Sequence, residues 1–255
     1  MRTLEMTVEY DGTAYCGWQV QNSHKSQAIS RKQRTIQATL EKTLQKILQE
    51  RVKVMGSGRT DSGAHALGQV AHFQTISRLS PTQIRKGLHS LLPADIRISA
   101  LNEAPDDFHA RFSATSKHYR YTIVNDAYLP VFIRRYAYLV RYPLNIAAMR
   151  RAARYLVGRH DFRSFQAVDK TERNSRRRIS RLAIRQQDNL IIIDIEADGF
   201  LYKMVRNIAG TLIEVGRGRM RPDEIEKVLL TRQRKSSGPC APAKGLCLIK
   251  VRYKK

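Results

Sequence analysis

Two kinds of apolar spacing take turns along this chain, in two successive passes, and that limits the fold to strands and helices mixed together. Leu4, Met6, Val8 and Tyr10 alternate with other residues and so share one face of a strand. Ile36, Leu40, Leu44 and Leu48 recur every four residues, which predicts an amphipathic helix over 35–49. Short strands are expected at Val52–Met55 and Gln69–Thr75. Ser80-Pro81-Thr82-Gln83 is a helix start: Ser80 can cap, Pro81 suits the first helical position and Gln83 can close a capping box, with the helix running to about Leu92. Ile96, Ile98 and Ala100 mark the next strand.

The second pass repeats this loosely. Tyr119, Tyr121 and Ile123 line a strand, and Ala148, Met149, Ala152 and Leu156 a helix over 145–157 stopped by Gly158. Leu182 and Ile184, then Ile191, Ile193 and Ile195, predict a hairpin turning at Gln187-Asp188-Asn189. Leu201 through Val215 reads as a helix stopped by Gly216, Pro222-Asp223-Glu224 starts a short one, and Leu246, Leu248 and Val251 belong to a closing strand. The expected fold is α+β: two ferredoxin-like halves with a mixed, mostly antiparallel sheet and a central cleft. The boundary falls near residues 103–115, dividing 1–105 from a strongly basic 106–255.

With 255 residues, 42% of them hydrophobic, the chain can bury a large core. It has no apolar stretch of membrane-spanning length, so no membrane association is expected. The opening MRTLEMTVEY lacks the apolar run of a secretory signal, which predicts a cytoplasmic protein. Cys16, Cys240 and Cys247 form no CxxC pair, consistent with reduced thiols and against structural zinc. The net charge of +24 favours a polyanion partner, and the excess is uneven: residues 1–130 hold 17 basic and 11 acidic side chains, residues 131–255 hold 29 and 11. Arg150, Arg151 and Arg154, the denser run Arg173, Arg176, Arg177, Arg178 and Arg181, and Arg217, Arg219 and Arg221 are expected to meet phosphates, with affinity falling steeply with salt.

The stretch between Gly56 and Gly68 holds four glycines in thirteen residues, with Arg59, Asp61 and His65 among them. Glycines there permit backbone shapes and close ligand approach that other residues resist. Asp61 is then either a catalytic carboxylate or an ordinary turn residue bonding its own backbone.

The sequence GRTDSGAH followed by GQVAHF, then Asp106-Asp107-Phe108-His109-Ala110-Arg111-Phe112-Ser113-Ala114 and Tyr119-Arg120-Tyr121, resembles the tRNA pseudouridine synthase A (TruA) family. Further matches follow in order: Glu9-Tyr10-Asp11-Gly12 through Gly17-Trp18-Gln19, Gly158…Asp161-Phe162…Ser164-Phe165, Met204-Val205-Arg206-Asn207-Ile208 with Gly210, and Gly245-Leu246. The resemblance implies the pseudouridine synthase fold, a homodimer, uridines of the tRNA anticodon stem-loop as substrate, and neither cofactor nor metal.

It also implies roles. Asp61 matches the catalytic aspartate, attacking an electrophilic carbon or removing a ribose proton. Arg206 matches the arginine that pairs with it; the other reading is a basic residue on an RNA-facing helix. Tyr119 matches the tyrosine that stacks on the target base; its alternation with Tyr121 equally suits ordinary core. Arg59 matches an arginine that helps extrude the nucleotide, or contacts phosphate. His65, Phe108, Arg111 and Leu246 complete the substrate-binding set, with Leu246 equally readable as core. Two other functions compete. A passive RNA binder needs basic patches but no acid in a glycine-rich loop. A metal-dependent nuclease using Asp61 with His65, His72 and His109 lacks local ligand spacing. The chain departs from the family pattern in the basic segment 22–34, the arginine-rich tract 171–178, Ser62, Ala64 and Cys247.

Overall fold

The computed structural model describes residues 1–19, 34–167 and 174–254. The basic segment 22–34, apart from Arg34, lies outside the described residues, as do Arg173 and part of the arginine-rich tract. In chain order the elements are β1 (Arg2–Tyr10), α1 (Ile36–Leu48), β2 (Met55–Gly56), β3 (His65–Thr75), α2 (Pro81–Leu91), β4 (Ile96–Ala104), β5 (Ala114–Asn125), β6 (Tyr138–Val140), α3 (Ile146–Leu156), β7 (Gly158–Asp161), β8 (Arg176–Gln187), β9 (Leu190–Ala197), α4 (Met204–Gly216), α5 (Glu224–Thr231) and β10 (Leu246–Tyr253). The pairs β1–β3, β1–β4, β2–β3, β5–β9, β7–β8 and β8–β9 are antiparallel and β5–β6 is parallel, so this is an α+β protein with mixed, mostly antiparallel pairing. Among the described residues no helix is long and apolar enough to cross a membrane.

The chain forms two compact units, Met1–Thr115 with Leu248–Lys255, and Ser116–Cys247. In the first, the strand order is β4-β1-β3-β10, and β2 pairs with β3. Leu4, Met6 and Val8 of β1 are fully buried, as are Ile36, Leu40 and Leu44 of α1 and Ile84 and Leu88 of α2. Each such side chain contributes about 1.5–3 kcal/mol relative to leaving it in water. Thr35 caps α1 by accepting from the Ala38 N–H. Both bonds of the capping box at Ser80 and Gln83 are present. β2 is shorter than the spacing predicts, because helix side chains take the backbone groups of Val54: its N–H donates to Glu41 Oε1 (3.0 Å) and its carbonyl accepts from Gln37 Nε2 (3.0 Å).

The sequence reading puts residues 106–115 and the closing strand in the second half. Here residues 106–115 and most of β10 count with the first unit. The His72 ring accepts the Ala110 N–H at 3.2 Å, and the Tyr253 hydroxyl donates to the Ala110 carbonyl at 2.8 Å.

In the second unit the order is β5-β9-β8-β7, with β6 beside β5. Tyr119, Tyr121 and Ile123 stand opposite Ile195, Ile193 and Ile191, so one face of the sheet is continuously apolar. The hairpin turns at Asp188, whose φ is +52°. α3, capped by Asn145, ends at Leu156, and Gly158 opens β7 with φ +110°. β7 escapes sequence reading because Gly-Arg-His-Asp has no apolar alternation, and β6 because it is only three residues long. α4 is buried along almost its whole length. At Gly210 an added Cβ would lie 1.7 Å from the Pro239 carbonyl oxygen, so glycine lets residues 238–241 cross the helix in contact with its backbone.

Candidate active site

In the first unit, the loop joining β2 to β3 carries Arg59 and Asp61 and is clamped to residues 10–18. Ser57 is buried, with its N–H donating to the Val70 carbonyl (2.7 Å) and its hydroxyl to Gln69 Oε1 (2.6 Å). The Gln69 amide donates back to the Gly58 carbonyl at 2.9 Å. Thr60 Oγ1 bonds the Tyr10 hydroxyl (2.8 Å), and the Thr60 carbonyl accepts from the Trp18 N–H (3.1 Å). Asp61 then heads a turn: its carbonyl accepts the Ala64 N–H at 3.1 Å, and Gly63 takes the positive φ (+76°) that such a turn needs at its third position. Ser62 Oγ and the Gly63 N–H both donate to the Tyr15 carbonyl.

The clamp explains two glycines. A Cβ on Gly12 would fall 1.8 Å from the Ala64 carbonyl oxygen, and one on Gly17 would fall 2.5 Å from that of Thr60. Asp61 is half-buried and Arg59 exposed. His65, at the start of β3, is buried: its Nδ1 accepts the Gly12 N–H at 3.1 Å and lies 3.2 Å from Asp11 Oδ1. The EYDG…GWQ segment is thus the mount on which the Asp61 turn is built, and Gly12 and Gly17 are the sequence signal for it.

Phe108 and Arg111 belong to a second turn of the first unit, residues 105–113. Phe108 is half-buried, with its ring 5.1 Å from Tyr253 and 5.9 Å from His72; Arg111 is exposed. Burial, and secondarily the charge of His109, hold the His72 ring below the usual histidine range. Among the described residues, no group of three or more His, Cys, Asp or Glu is arranged to hold a metal ion.

Tyr119, Arg206 and Leu246 lie in the second unit. Tyr119 is 7% exposed and meets Phe200 edge to face at 5.1 Å, a partner just before α4 that the sequence reading did not single out. Arg206, in the first turn of α4, is half-buried, and its Nε donates to the Ala241 carbonyl at 2.7 Å. Neighbouring Tyr121 is fully buried and donates to the Pro242 carbonyl at 2.8 Å. Burial pushes the Tyr121 phenol well above its ordinary range, against the opposing pull of Arg206. Leu246 opens β10 and is buried.

The basic runs fare differently. Arg150, Arg151, Arg154, Arg176, Arg178 and Arg181 are exposed. Arg217 and Arg219 instead pair with Glu214 at 3.0 and 3.7 Å, and Arg221 with Asp223 at 3.5 Å, so local acids already answer part of the third run.

A family profile described as tRNA pseudouridine synthase matches residues 6–113 and 152–254. The tRNA pseudouridine synthase A of Moorella thermoacetica is 44% identical over 253 residues, covering 99% of this chain and 100% of that one. That of Acetivibrio thermocellus is 41% identical over the same length and coverage. Among solved structures, an archaeal box H/ACA sRNP Nop10-Cbf5 complex matches with a TM-score of 0.33 and 9% identity, covering 98% of this chain and 47% of that one.

Proposed function

This chain belongs to the tRNA pseudouridine synthase A family, an isomerase family, and from that premise we propose that it converts uridines of the tRNA anticodon stem-loop to pseudouridine, as a homodimer, with Asp61 as the reacting carboxylate. The observation that carries the reading is identity of 44% extending over 99% of the chain. It is supported by the way eight residues of loop are mounted so that Asp61 heads a turn held at both ends.

The reaction breaks the bond from ribose C1′ to uracil N1 and makes one from C1′ to C5. The C5 hydrogen leaves as a proton and N1 gains one, so product and substrate are isomers and no oxidant or reductant is consumed. A carboxylate can begin this by adding to an electrophilic carbon or by removing a ribose proton. Arg206, which the resemblance pairs with the aspartate, would favour its ionised form. Tyr119 is proposed to stack on the base. Arg59, exposed beside Asp61, is proposed to help extrude the nucleotide, which costs about a few kcal/mol. His65, buried against Gly12 and Asp11, is proposed to act by holding the Asp61 turn.

The test is tritium release from tRNA carrying [5-³H]uridine, because isomerisation frees the C5 hydrogen whereas binding and strand cleavage do not. Wild type is expected to release tritium, and Asp61→Asn to bind tRNA and release none. Comparable release by both proteins would remove Asp61 from this role.

A further inference from the structure

We infer that the turn of residues 105–113 mounts Phe112 as a stacking platform for an unpaired nucleobase of the RNA. This deepens the proposed function and rests on it for the identity of that RNA.

Phe112 is 76% exposed, yet the turn that carries it is hydrogen-bonded throughout. Every amide from Phe108 to Ser113 is donated within the unit. Phe108 donates to the Pro105 carbonyl (2.9 Å), His109 to Ser113 Oγ (3.1 Å) and Ala110 to His72 Nδ1 (3.2 Å). Arg111 and Phe112 both donate to His109 Nδ1 (3.1 and 3.3 Å), and Ser113 donates to the His109 carbonyl (2.9 Å). Below Phe112 the rings continue in series: His109 at 4.3 Å tilted by 34°, then His72 at 4.8 Å from His109. The Arg111 guanidinium lies 5.7 Å from the Phe112 centroid.

An aromatic ring whose backbone is held at every amide and whose ring is left in water can offer that ring to a partner with a flat face. The turn also carries exposed Asp106 and Asp107, so it is a poor phosphate cradle. A neutral ring with one guanidinium over it at 5.7 Å suits a base, which stacks on aromatics and on arginine planes whatever its identity. The chain's net charge of +24 brings the polyanion to it.

The experiment measures tRNA affinity and fluorescence in the full-length protein. Phe112→Ala is expected to weaken tRNA binding by roughly 5- to 100-fold, with turnover at saturating tRNA near wild type. Phe112→Trp is expected to restore affinity, and its emission to be quenched by tRNA and not by inorganic polyphosphate. Wild type supplies the background, since its one tryptophan, Trp18, is buried. Unchanged affinity in the alanine variant, unquenched tryptophan at saturation, equal quenching by polyphosphate, or a changed sedimentation coefficient marking a contact between copies would each overturn the platform. Tritium release by wild type separates the two readings. If it fails, the isomerase assignment falls while the stacking readout still stands on its own; if it succeeds and the Phe112 readouts are null, only the platform falls.

Discussion

Arg206 and Ala241 hold each other at two points: Arg206 Nε donates to the Ala241 carbonyl at 2.7 Å, and the Ala241 N–H donates to the Arg206 carbonyl at 3.1 Å. The bond through Nε fixes the plane of the guanidinium in the first turn of α4. A charge oriented before substrate arrives stabilises a reacting anion without reorganising during the reaction.

Arg206→Ala is therefore expected to lower kcat by roughly 100- to 1,000-fold, while the Kd for tRNA changes only a few-fold. Arg206→Lys keeps the charge but not the planar fork, so it should recover little of the loss. Steady-state kinetics on tRNA beside filter binding makes the comparison; equal losses in turnover and affinity would reduce Arg206 to a phosphate contact.

Gly12→Ala tests the mount of the Asp61 turn. The new Cβ would lie 1.8 Å from the Ala64 carbonyl oxygen, and its three nearest atoms all belong to the Ala64 backbone, so one segment must move. Overpacking of this kind costs about 1–3 kcal/mol. A displacement of about 1 Å at the reacting group costs roughly 100-fold in rate. A melting curve and a tritium-release rate on the same protein should show a modest fall in Tm and a much larger fall in activity. Full activity would show that the turn does not need its seat on residues 10–18.

Asp194 predicts the behaviour in acid. It is 7% exposed on β9 and is met by Arg120 Nε and His118 Nε2 at 2.9 and 2.8 Å and by Arg185 at 2.5 Å. Burial alone would raise its pKa, but the hydrogen bonds and charges of Arg120 and His118 outweigh it and hold the carboxyl below the usual range. A folded pKa below the unfolded one means that the contribution to stability is complete above the unfolded value, near 3.8, and is lost as pH falls through the folded one. Asp194→Asn should therefore be destabilised at neutral pH by about 1–3 kcal/mol, and the gap to wild type should narrow below about pH 4. Urea unfolding at pH 7 and pH 3 measures both values; a gap independent of pH would show that the ion cluster contributes no titrating stability.

Local periodicity along the chain determined most of the elements: the β1 alternation, the four-residue spacing of α1, the capping box of α2 and the turn at Asp188 each arise from residues within a few positions of one another. Backbone preference and apolar period act over that range, so they are legible without the fold. The glycine-rich loop around Asp61 was legible for the same reason. Tertiary structure alone decided how that loop is held, since the Gly12–His65 bond joins residues 53 apart and the Thr60–Tyr10 bond residues 50 apart. It also shortened β2, by giving the backbone of Val54 to helix side chains, and set the end of the chain beside β3. A hydrogen bond needs its two groups within about 3 Å, and only the folded chain says which distant pairs come that close.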